Sequence, residues 1–521
     1  MNREKTRNEA PRGLAGRLPR LAAGSLCILL LVLAGRAGQV AASHRYRAQY
    51  DRLPAEAGTR PTLPAGIRFV TVALGGFRGI VADALWIRAS ILQEKGRYFE
   101  LVQLADWITA LEPHFPEVWI FHAWNLAYNV SVLFESPEDR WRWVRHGIAL
   151  LRDRGIVFNP DSPSLCRELG WIFLHKIGSD YDSAHWYYKR SWAREMEPFF
   201  PEGRLDYDRL VSAPSDRRRL LADPQVASLV DHIRAAGEDP FDAAVLHPRS
   251  RPPSVNRLLQ NNPAAAVLLD FIRRNVLEHR YKLQPDIMRQ VEEICGPLDW
   301  RLPYAHSAYW GYRGAAQAQG FEKLACERMV YQSAAAAFRQ GKLYYDRERD
   351  IFILLPKLDM FEHVLRTYQY AAAQLEDPAP ALEARYYFLR MATLYFYVYS
   401  GPEEARRVFT MLRSSGYAEE VPTDLDRFLV EETLRTSPPG DLKSILNAVL
   451  YQAAFWEALD FPDRAQGFTR LARLLWKEER RRAATTAAPS ESLFEKRLEE
   501  ARQQVRKTLS AAVPVGPENG L

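Results

Sequence analysis

The feature that most restricts the fold of this 521-residue chain is a stretch that occurs twice, 47 residues apart. The first copy, residues 110–129, reads ALEPHFPEVWIFHAWNLAYN, and the second copy, residues 157–176, reads VFNPDSPSLCRELGWIFLHK. The aligned residues that are identical are two prolines and one tryptophan: Pro113 and Pro160, Pro116 and Pro163, Trp124 and Trp171. A period of roughly 30–50 residues is typical of helical solenoids, in which each hairpin buries its apolar face against the next.

Each P-x-x-P pair predicts the end of one helix and the start of the next. Proline fits the first turn of a helix, where a backbone N–H is not needed, and it disfavours helix at the preceding residue. A small residue, Ala123 or Gly170, precedes each tryptophan, which predicts that neighbouring helix backbones approach closely there. We expect Trp124 and Trp171 to fill the space beyond this approach as buried core residues.

The rest of the chain shows the helical period rather than the alternation typical of strands. Apolar residues recur at spacings of three and four, and turns that contain proline or glycine separate segments of about 12–18 residues. A composition that is 47% hydrophobic and 26% charged is ordinary for a folded globular protein. These patterns predict an all-α protein built from antiparallel helix pairs.

Residues 96–113, GRYFELVQLADWITALEP, resemble the second half of a tetratricopeptide (TPR) repeat. Gly96 occupies the turn between the two helices of the repeat, Tyr98 follows it by two residues, and Pro113 closes the unit. Leu101 stands where the family usually has alanine, and this difference implies a looser helix crossing.

Weaker copies of the same pattern occur at 394–416, which contains Ala405 and Phe409, and at 452–475. The resemblance covers about half of the chain, and the 47-residue period exceeds the family's period of about 34, so the hairpins would carry extended loops. It implies a membrane-anchored bacterial protein of the TPR-like type. Its α-α hairpins would form a right-handed superhelix whose concave face binds peptide segments of other proteins.

Changes of pattern along the chain predict its organisation. The predicted segments are a linker (43–64), TPR-like repeats (65–199), an irregular linker or insertion (200–260), helical hairpins (261–345), C-terminal TPR-like repeats (346–480), and a linker followed by an amphipathic helix (481–521). The segment 200–260 is assigned as irregular because it is rich in proline and arginine and lacks a helical period.

The first 42 residues have the layout of an export signal. Residues 1–20 form a basic tail with six Lys/Arg and two Glu, and the apolar run 21–35 follows. Residues 21–42 are predicted to be a transmembrane anchor or a cleaved signal peptide. Because the basic side stays in the cytoplasm, both alternatives place the body outside it, either tethered to the inner membrane or secreted after cleavage. Most of the net charge of +6 lies in this tail, so we expect no nucleic-acid-binding face.

Four cysteines occur, and Cys27 belongs to the apolar run. Cys166, Cys295 and Cys326 form no CxxC pair, so no zinc site is predicted. Two interpretations stay open for these three residues, namely one disulfide in an oxidising compartment or buried free thiols.

No catalytic or phosphate-binding motif occurs in the sequence, and we expect no catalytic residue, cofactor or metal. The cluster that most resembles a site is HKIGSDYDSAHWYY, residues 175–188. If the chain turns between them, His175 and His185 would converge with Asp180 and Asp182 and could bind a transition metal. The competing interpretation is that Asp and Ser in this turn cap the following helix.

We therefore expect a non-enzymatic, membrane-tethered, extracytoplasmic scaffold that mediates protein–protein interaction in an envelope assembly. His122, Asn125 and Asn129 are predicted to orient an extended partner segment, since concave faces of repeat proteins often present asparagine. A competing interpretation is that these side chains hydrogen-bond a neighbouring helix. The alternative function is an envelope enzyme or glycan-binding protein whose site lies around His175–His185.

Overall fold

The structure, a computed structural model, describes residues 78–248, 251–260, 262–346, 351–438, 440–483 and 491–512. These residues are mostly helical, and the sheet that they contain is a two-stranded hairpin, so the predicted all-α class is confirmed. Internal contacts divide the chain into two compact units, residues 1–165 and 166–521.

Helices make up the described part of the first unit. The longer ones are α1 (Arg78–Glu94), α2 (Tyr98–Leu111), α3 (Pro116–Trp124) and α4 (Pro137–Leu150), and shorter helical segments follow α3 and α4, the last of them Ile156–Phe158. The turn of the α1–α2 hairpin contains Gly96 at φ +67°, a left-handed conformation that glycine adopts without steric cost. Leu101 and Ile108 of α2 are buried in a cluster shared with α1 and α3, and Tyr98 packs against that cluster. The TPR-like positions of this hairpin therefore serve its turn and its core.

The 47-residue repeat is visible in the bounds of the helices. α3 starts at Pro116 and passes after Trp124 into a π-helical turn, Asn125–Val130. α5 (Pro163–Trp171) likewise starts at a proline and passes into a π-helical turn, Ile172–Ile177. Each bound in the second copy lies 47 residues after its counterpart in the first. Because π-helical turns are rare, the two copies share backbone structure as well as sequence.

The second unit contains the rest of the described helices and the β-hairpin. After α5, the helices are α6 (His185–Met196), α7 (Tyr207–Ser212), α8 (Arg217–Leu220), α9 (Pro224–Ala235), α10 (Pro253–Leu259), α11 (Pro263–His279), α12 (Pro285–Cys295), α13 (Pro303–Ala315), α14 (Gly320–Gln340), α15 (Phe361–Gln374), α16 (Ala379–Tyr399), α17 (Pro402–Arg413), α18 (Leu425–Thr436), α19 (Leu442–Ala458), α20 (Pro462–Arg482) and α21 (Glu491–Ala512). Neighbours in sequence pack together, as α13 does with α14, α16 with α17, and α19 with α20.

The small residue before each tryptophan does lie at a close approach of two helices. A Cβ atom on Gly147 of α4 would lie 2.9 Å from the backbone oxygen of Ala123, and one on Gly170 would lie 3.3 Å from a backbone oxygen of α13. Trp124 and Trp171, however, are 39% and 37% exposed, so the prediction that they are core residues is wrong. Successive helical residues are rotated by about 100°, and burial of the small residue therefore turns the next side chain outward.

The C-terminal TPR-like positions lie in the α16–α17 hairpin. Ala405 and Phe409 of α17 are buried, and the Phe409 ring lies 5.2 Å from the ring of Phe428 in α18. Gly401 forms the turn at φ +132°, a value that side chains rarely tolerate.

The described part of the segment 200–260, predicted as an irregular linker or insertion, instead contains four α-helices, α7–α10, and a short 3-10 helix, Ala243–Leu246. The side chains of Asp206, Asp216 and Asp223 each accept a hydrogen bond from a backbone N–H at the start of one of these helices. Leu229 is buried, and α9 packs against α11. The aspartate caps are the sequence feature that indicates helix in this segment.

The β-hairpin was not predicted. β1 (Lys342–Asp346) pairs antiparallel with β2 (Ile351–Leu355), and Lys342 lies opposite Leu355. Ile353 and Leu355 pack in a cluster with Trp456 of α19. The run IFILL is rich in the β-branched and aromatic residues that favour strands, and it lies at the start of the predicted C-terminal repeats, 346–480.

Residues 21–42, predicted to be the anchor or signal, lie outside the described residues together with the flanking segments 1–20 and 43–64. Among the helices that the structure describes, none is both long enough and apolar enough to cross a bilayer.

The amphipathic helix expected within 481–521 corresponds to α21. Its apolar stripe is buried at Phe494, Leu498 and Val505, and α21 packs against α19. The Phe494 ring lies 5.6 Å from that of Trp476 in α20. Burial of the stripe explains why this helix belongs to the second unit.

Cys166, Cys295 and Cys326 are buried and free. Burial raises the pKa of the Cys166 thiol to about 11 and that of the Cys295 thiol to about 12. Both thiols are therefore protonated at neutral pH and unreactive, which supports the free-thiol interpretation.

Candidate functional site

A groove of about 570 Å³ opens in the second unit, and six helices contribute to its lining. These are α5 with its π-helical turn, α13, α14, α15, α16 and α18. The lining residues are Trp171, Leu174, His175, Gly178, Ser179, Tyr304, Tyr331, Gln332, Ala335, Ala336, Arg339, Tyr368, Ala384, Tyr387, Phe388, Met391, Glu432, Arg435 and Thr436. A surface to which many helices each contribute a few side chains suits an elongated ligand.

Buried aromatic rings form the floor of the groove. The ring of Tyr331 lies 4.9 Å from that of Tyr368, which lies 5.8 Å from that of Phe388. The hydroxyl of Tyr304 donates to the backbone oxygen of Gly178 at 3.0 Å. Burial raises the pKa of Tyr304 and of Tyr368, so both hydroxyls stay protonated and uncharged. The floor is therefore uncharged, and the exposed aromatic rings of the lining, those of Trp171 and Tyr387, provide the contact area.

Stacked rings form the side of the groove that α5 contributes. The rings of Trp171 and His175 stack at 4.7 Å with an interplanar angle of 10°, and His175 also stacks on Tyr181 at 5.0 Å. Burial and the nearby Lys176 lower the pKa of His175, which keeps the imidazole neutral at pH 7. The repeat explains the pair, since Trp124 and Tyr128 stack at 5.1 Å at the equivalent positions of the first unit.

α18 contributes two charged side chains, Glu432 and Arg435, to the lining of the groove. Glu432 is completely buried, and its carboxylate accepts hydrogen bonds from Arg390 at 2.9 Å and from Arg435 at 3.0 Å. The hydrogen bond to Glu432 raises the pKa of Arg435. Arg390 also donates to the hydroxyl of Tyr386 at 2.7 Å, so the buried carboxylate and its partners form one connected network.

The predicted partner-binding residues lie elsewhere, in and beside the π-helical turn of α3. His122 is 2% exposed and Asn125 is 1% exposed. Asn125 donates to the backbone oxygen of Phe121 at 2.8 Å, and the half-buried Asn129 donates to Asn125 at 2.6 Å. This corrects the prediction for His122 and Asn125, because buried side chains cannot contact a partner. The asparagines instead satisfy backbone and side-chain groups where the helix changes its hydrogen-bond pattern.

His122 is an unusual buried histidine. Neither ring nitrogen has a hydrogen-bond partner among the described residues, and Nδ1 lies 3.8 Å from a carboxylate oxygen of Asp106. Burial, with a smaller effect of Arg154, lowers the pKa of His122 to about 3, so the ring is neutral at physiological pH. It therefore carries no charge that could attract a ligand.

The turn between His175 and His185 is held by lysine contacts. Lys176 forms a buried ion pair with Asp182 at 2.6 Å. The ammonium of Lys189 donates to the backbone oxygen of Ser179 and to Nδ1 of His185, each at 2.8 Å. His175 lines the groove, whereas His185 does not. Within the described residues no group of three or more His, Cys, Asp or Glu could hold a metal ion.

Replacement of Lys189 by methionine is expected to change how stability depends on pH. Burial lowers the pKa of Lys189 to about 7, whereas a lysine in the unfolded chain titrates near 10.4. Above pH 7 the unfolded wild type binds more protons than the folded wild type, so its free energy of unfolding rises with pH. Relative to Lys189→Met, the wild type should gain about 2 kcal/mol between pH 7 and pH 9.

Urea denaturation of both proteins across this pH range measures the difference. Lys443→Met, at an exposed lysine of α19, controls for the loss of a surface lysine. If the difference in the free energy of unfolding between wild type and Lys189→Met stayed constant from pH 7 to pH 9, it would contradict the lowered pKa of Lys189.

Searches with this chain against family models, curated proteins and solved structures gave no match.

Sequence reasoning did not find the groove. Of its lining residues, the sequence indicates Trp171 as a core residue, and His175, Gly178 and Ser179 as part of the stretch 175–188 that resembles a metal site. Arg339 and Arg435 are two of 70 Lys and Arg in the chain, and no motif distinguishes them. The one sequence feature that points to the groove is the repeat, because it places a tryptophan, exposed in the structure, at the same position of each copy.

Proposed function

We propose that this chain is a non-enzymatic, membrane-tethered, extracytoplasmic scaffold of TPR-like hairpins that mediates protein–protein interaction in an envelope assembly. The observation that carries the proposal is the groove, to which six helices of the second unit contribute. A partner would bind there through an extended segment, because six helices each contribute a few side chains to the lining.

The chemistry of the lining supports binding more than catalysis. Aromatic rings provide contact area at a low cost in conformational entropy, and a few polar groups provide orientation. A nucleophile beside a positioned base would indicate an enzyme. The side chains of His185 and Lys189 form such a contact, a hydrogen bond, but neither residue lines the groove. The alternative of an enzyme or glycan-binding protein with its site around His175–His185 therefore has less support.

The right-handed superhelix and the membrane tether are parts of the same proposal. The bounds of α3 and α5, which are offset by the same 47 residues at each end, support a repeated hairpin architecture. The glycine turns at Gly96 and Gly401 support it as well. The basic tail and the apolar run 21–35 support anchorage in the inner membrane, with the body outside the cytoplasm.

Site-specific photo-crosslinking in the native cell tests where a partner binds. The crosslinker p-benzoylphenylalanine replaces Tyr387, which lines the groove and is 49% exposed. We expect irradiation to produce a discrete protein adduct at this position, and we expect Trp171→Ala to reduce its yield about tenfold, as for an aromatic residue that anchors an interface.

The matched control places the crosslinker at Phe321, which is 77% exposed at the start of α14 and lies outside the groove lining. An adduct that forms equally well at Phe321, or that is unaffected by Trp171→Ala, would place the interaction elsewhere. A chain that gives no adduct at Tyr387 would argue against the groove as the binding surface.

A further inference from the structure

The charged side chains that are exposed in the groove lining are positive. Arg339 and Arg435 are exposed cations, whereas the carboxylate among the lining residues, Glu432, is buried. His175 is neutral at pH 7 because burial and Lys176 lower its pKa. An incoming ligand therefore meets accessible positive charge and no accessible negative charge in this lining.

Glu432 is already neutralised from inside the protein. Two guanidinium groups share its carboxylate, that of Arg390 at 2.8 Å and that of Arg435, whose Nη2 makes the closest contact. Two cations against one anion leave a net positive charge at this part of the groove lining. The side chain of Arg435 is 48% exposed, so it remains accessible to a second carboxylate.

Arg339 supplies the second cation. It lies one residue before the end of α14 and is exposed at the groove. Among the described residues, no carboxylate forms an ion pair with it. An exposed arginine beside exposed aromatic rings, here those of Trp171 and Tyr387, can bind a carboxylate by two parallel hydrogen bonds while the ligand's apolar groups lie on the rings.

We propose that the groove binds an acidic extended peptide, in which Asp or Glu side chains alternate with apolar or aromatic ones. Carboxylates of the peptide pair with Arg339 and Arg435, and its apolar side chains contact the exposed rings of Trp171 and Tyr387. The proposal rests on the proposed function, because it names the chemistry of the segment that the groove binds. Basic segments are excluded by repulsion from the two arginines.

Selection from a random peptide library tests this preference. The full-length chain, held in lipid nanodiscs, selects binders from a phage-displayed library of random twelve-residue peptides. We expect the selected sequences to be rich in Asp and Glu and in apolar residues. A fluorescein-labelled selected peptide should bind with an affinity that falls about fivefold in each of Arg339→Gln and Arg435→Gln, and that weakens as salt increases.

Arg427→Gln is the matched control, since Arg427 lies on α18 with Arg435 but does not line the groove. It should leave the affinity unchanged, and Arg339→Lys should restore part of the loss in Arg339→Gln because it keeps the charge. Circular dichroism of each variant establishes that it is folded.

The outcomes separate the two proposals. Selected peptides that bind the groove but are neutral or basic, or whose affinity is unaffected by Arg339→Gln and Arg435→Gln, overturn the acidic preference and leave the groove as a peptide site. If the library yields no peptide whose affinity falls in Trp171→Ala or Tyr387→Ala, both proposals are overturned.

Discussion

Gly467→Ala is expected to lower the free energy of unfolding of the second unit by about 3–5 kcal/mol. A Cβ atom at Gly467 of α20 would lie 1.7 Å from the backbone oxygen of Val398 in α16 and 2.7 Å from its carbonyl carbon. Overpacked side chains usually cost about 1–3 kcal/mol, because flexible neighbours move away. Here the obstacle is the backbone of a helix rather than a flexible side chain, so α16 and α20 would have to separate.

Urea denaturation monitored by circular dichroism measures this loss, as a lower midpoint at an unchanged slope. Gly416→Ala is the control, since a Cβ atom there would meet no atom within 4 Å. Equal midpoints for wild type and Gly467→Ala would show that the two helices do not cross as closely as the structure indicates.

The features of the fold that the sequence could predict are those that depend on a local pattern of residues. The helical class follows from the spacing of apolar residues, and the bounds of α3 and α5 follow from the prolines of the repeat. The small residues Ala123 and Gly170 correctly indicated where helices approach closely. These features are local, so a short stretch of sequence is sufficient to specify them.

The orientation of each helix about its axis was harder to predict. Trp124 and Trp171 are large and apolar, and such residues are usually buried. The face that a helix buries depends on where its neighbours cross, and here the crossing uses the small residue that precedes each tryptophan. The π-helical turn that follows each of them shifts the register further, and no rule for sequence gives its position.

The groove could not be predicted because its residues are far apart in the chain. Trp171 and Arg435 line the same surface only after the second unit has folded. Glu432 is completely buried and pairs with two arginines, whereas the sequence alone suggests that an i, i+3 pair such as Glu432 and Arg435 is an ordinary exposed ion pair. Distinguishing the two cases requires knowledge of which face of α18 is covered.

Trp119 and Trp124, five residues apart in α3, are expected to differ strongly in what they contribute to the free energy of unfolding. Trp119 is completely buried, its indole N–H donates to the backbone oxygen of Pro113 at 2.8 Å, and its ring stacks on Phe158 at 5.8 Å. Trp119→Ala should therefore lower the free energy of unfolding of the first unit by about 3–5 kcal/mol, through a cavity and a lost hydrogen bond.

Trp124→Ala should cost only about 1 kcal/mol, because its side chain is outward and loses chiefly its stacking on Tyr128. The two variants remove the same side chain from the same helix, so the difference between them isolates the face that α3 buries. In thermal unfolding followed by near-ultraviolet circular dichroism, Trp119→Ala should melt well below wild type and Trp124→Ala close to it. Equal losses would mean that Trp124 is a core residue after all, and that the crossing at Ala123 does not set the orientation of the repeat.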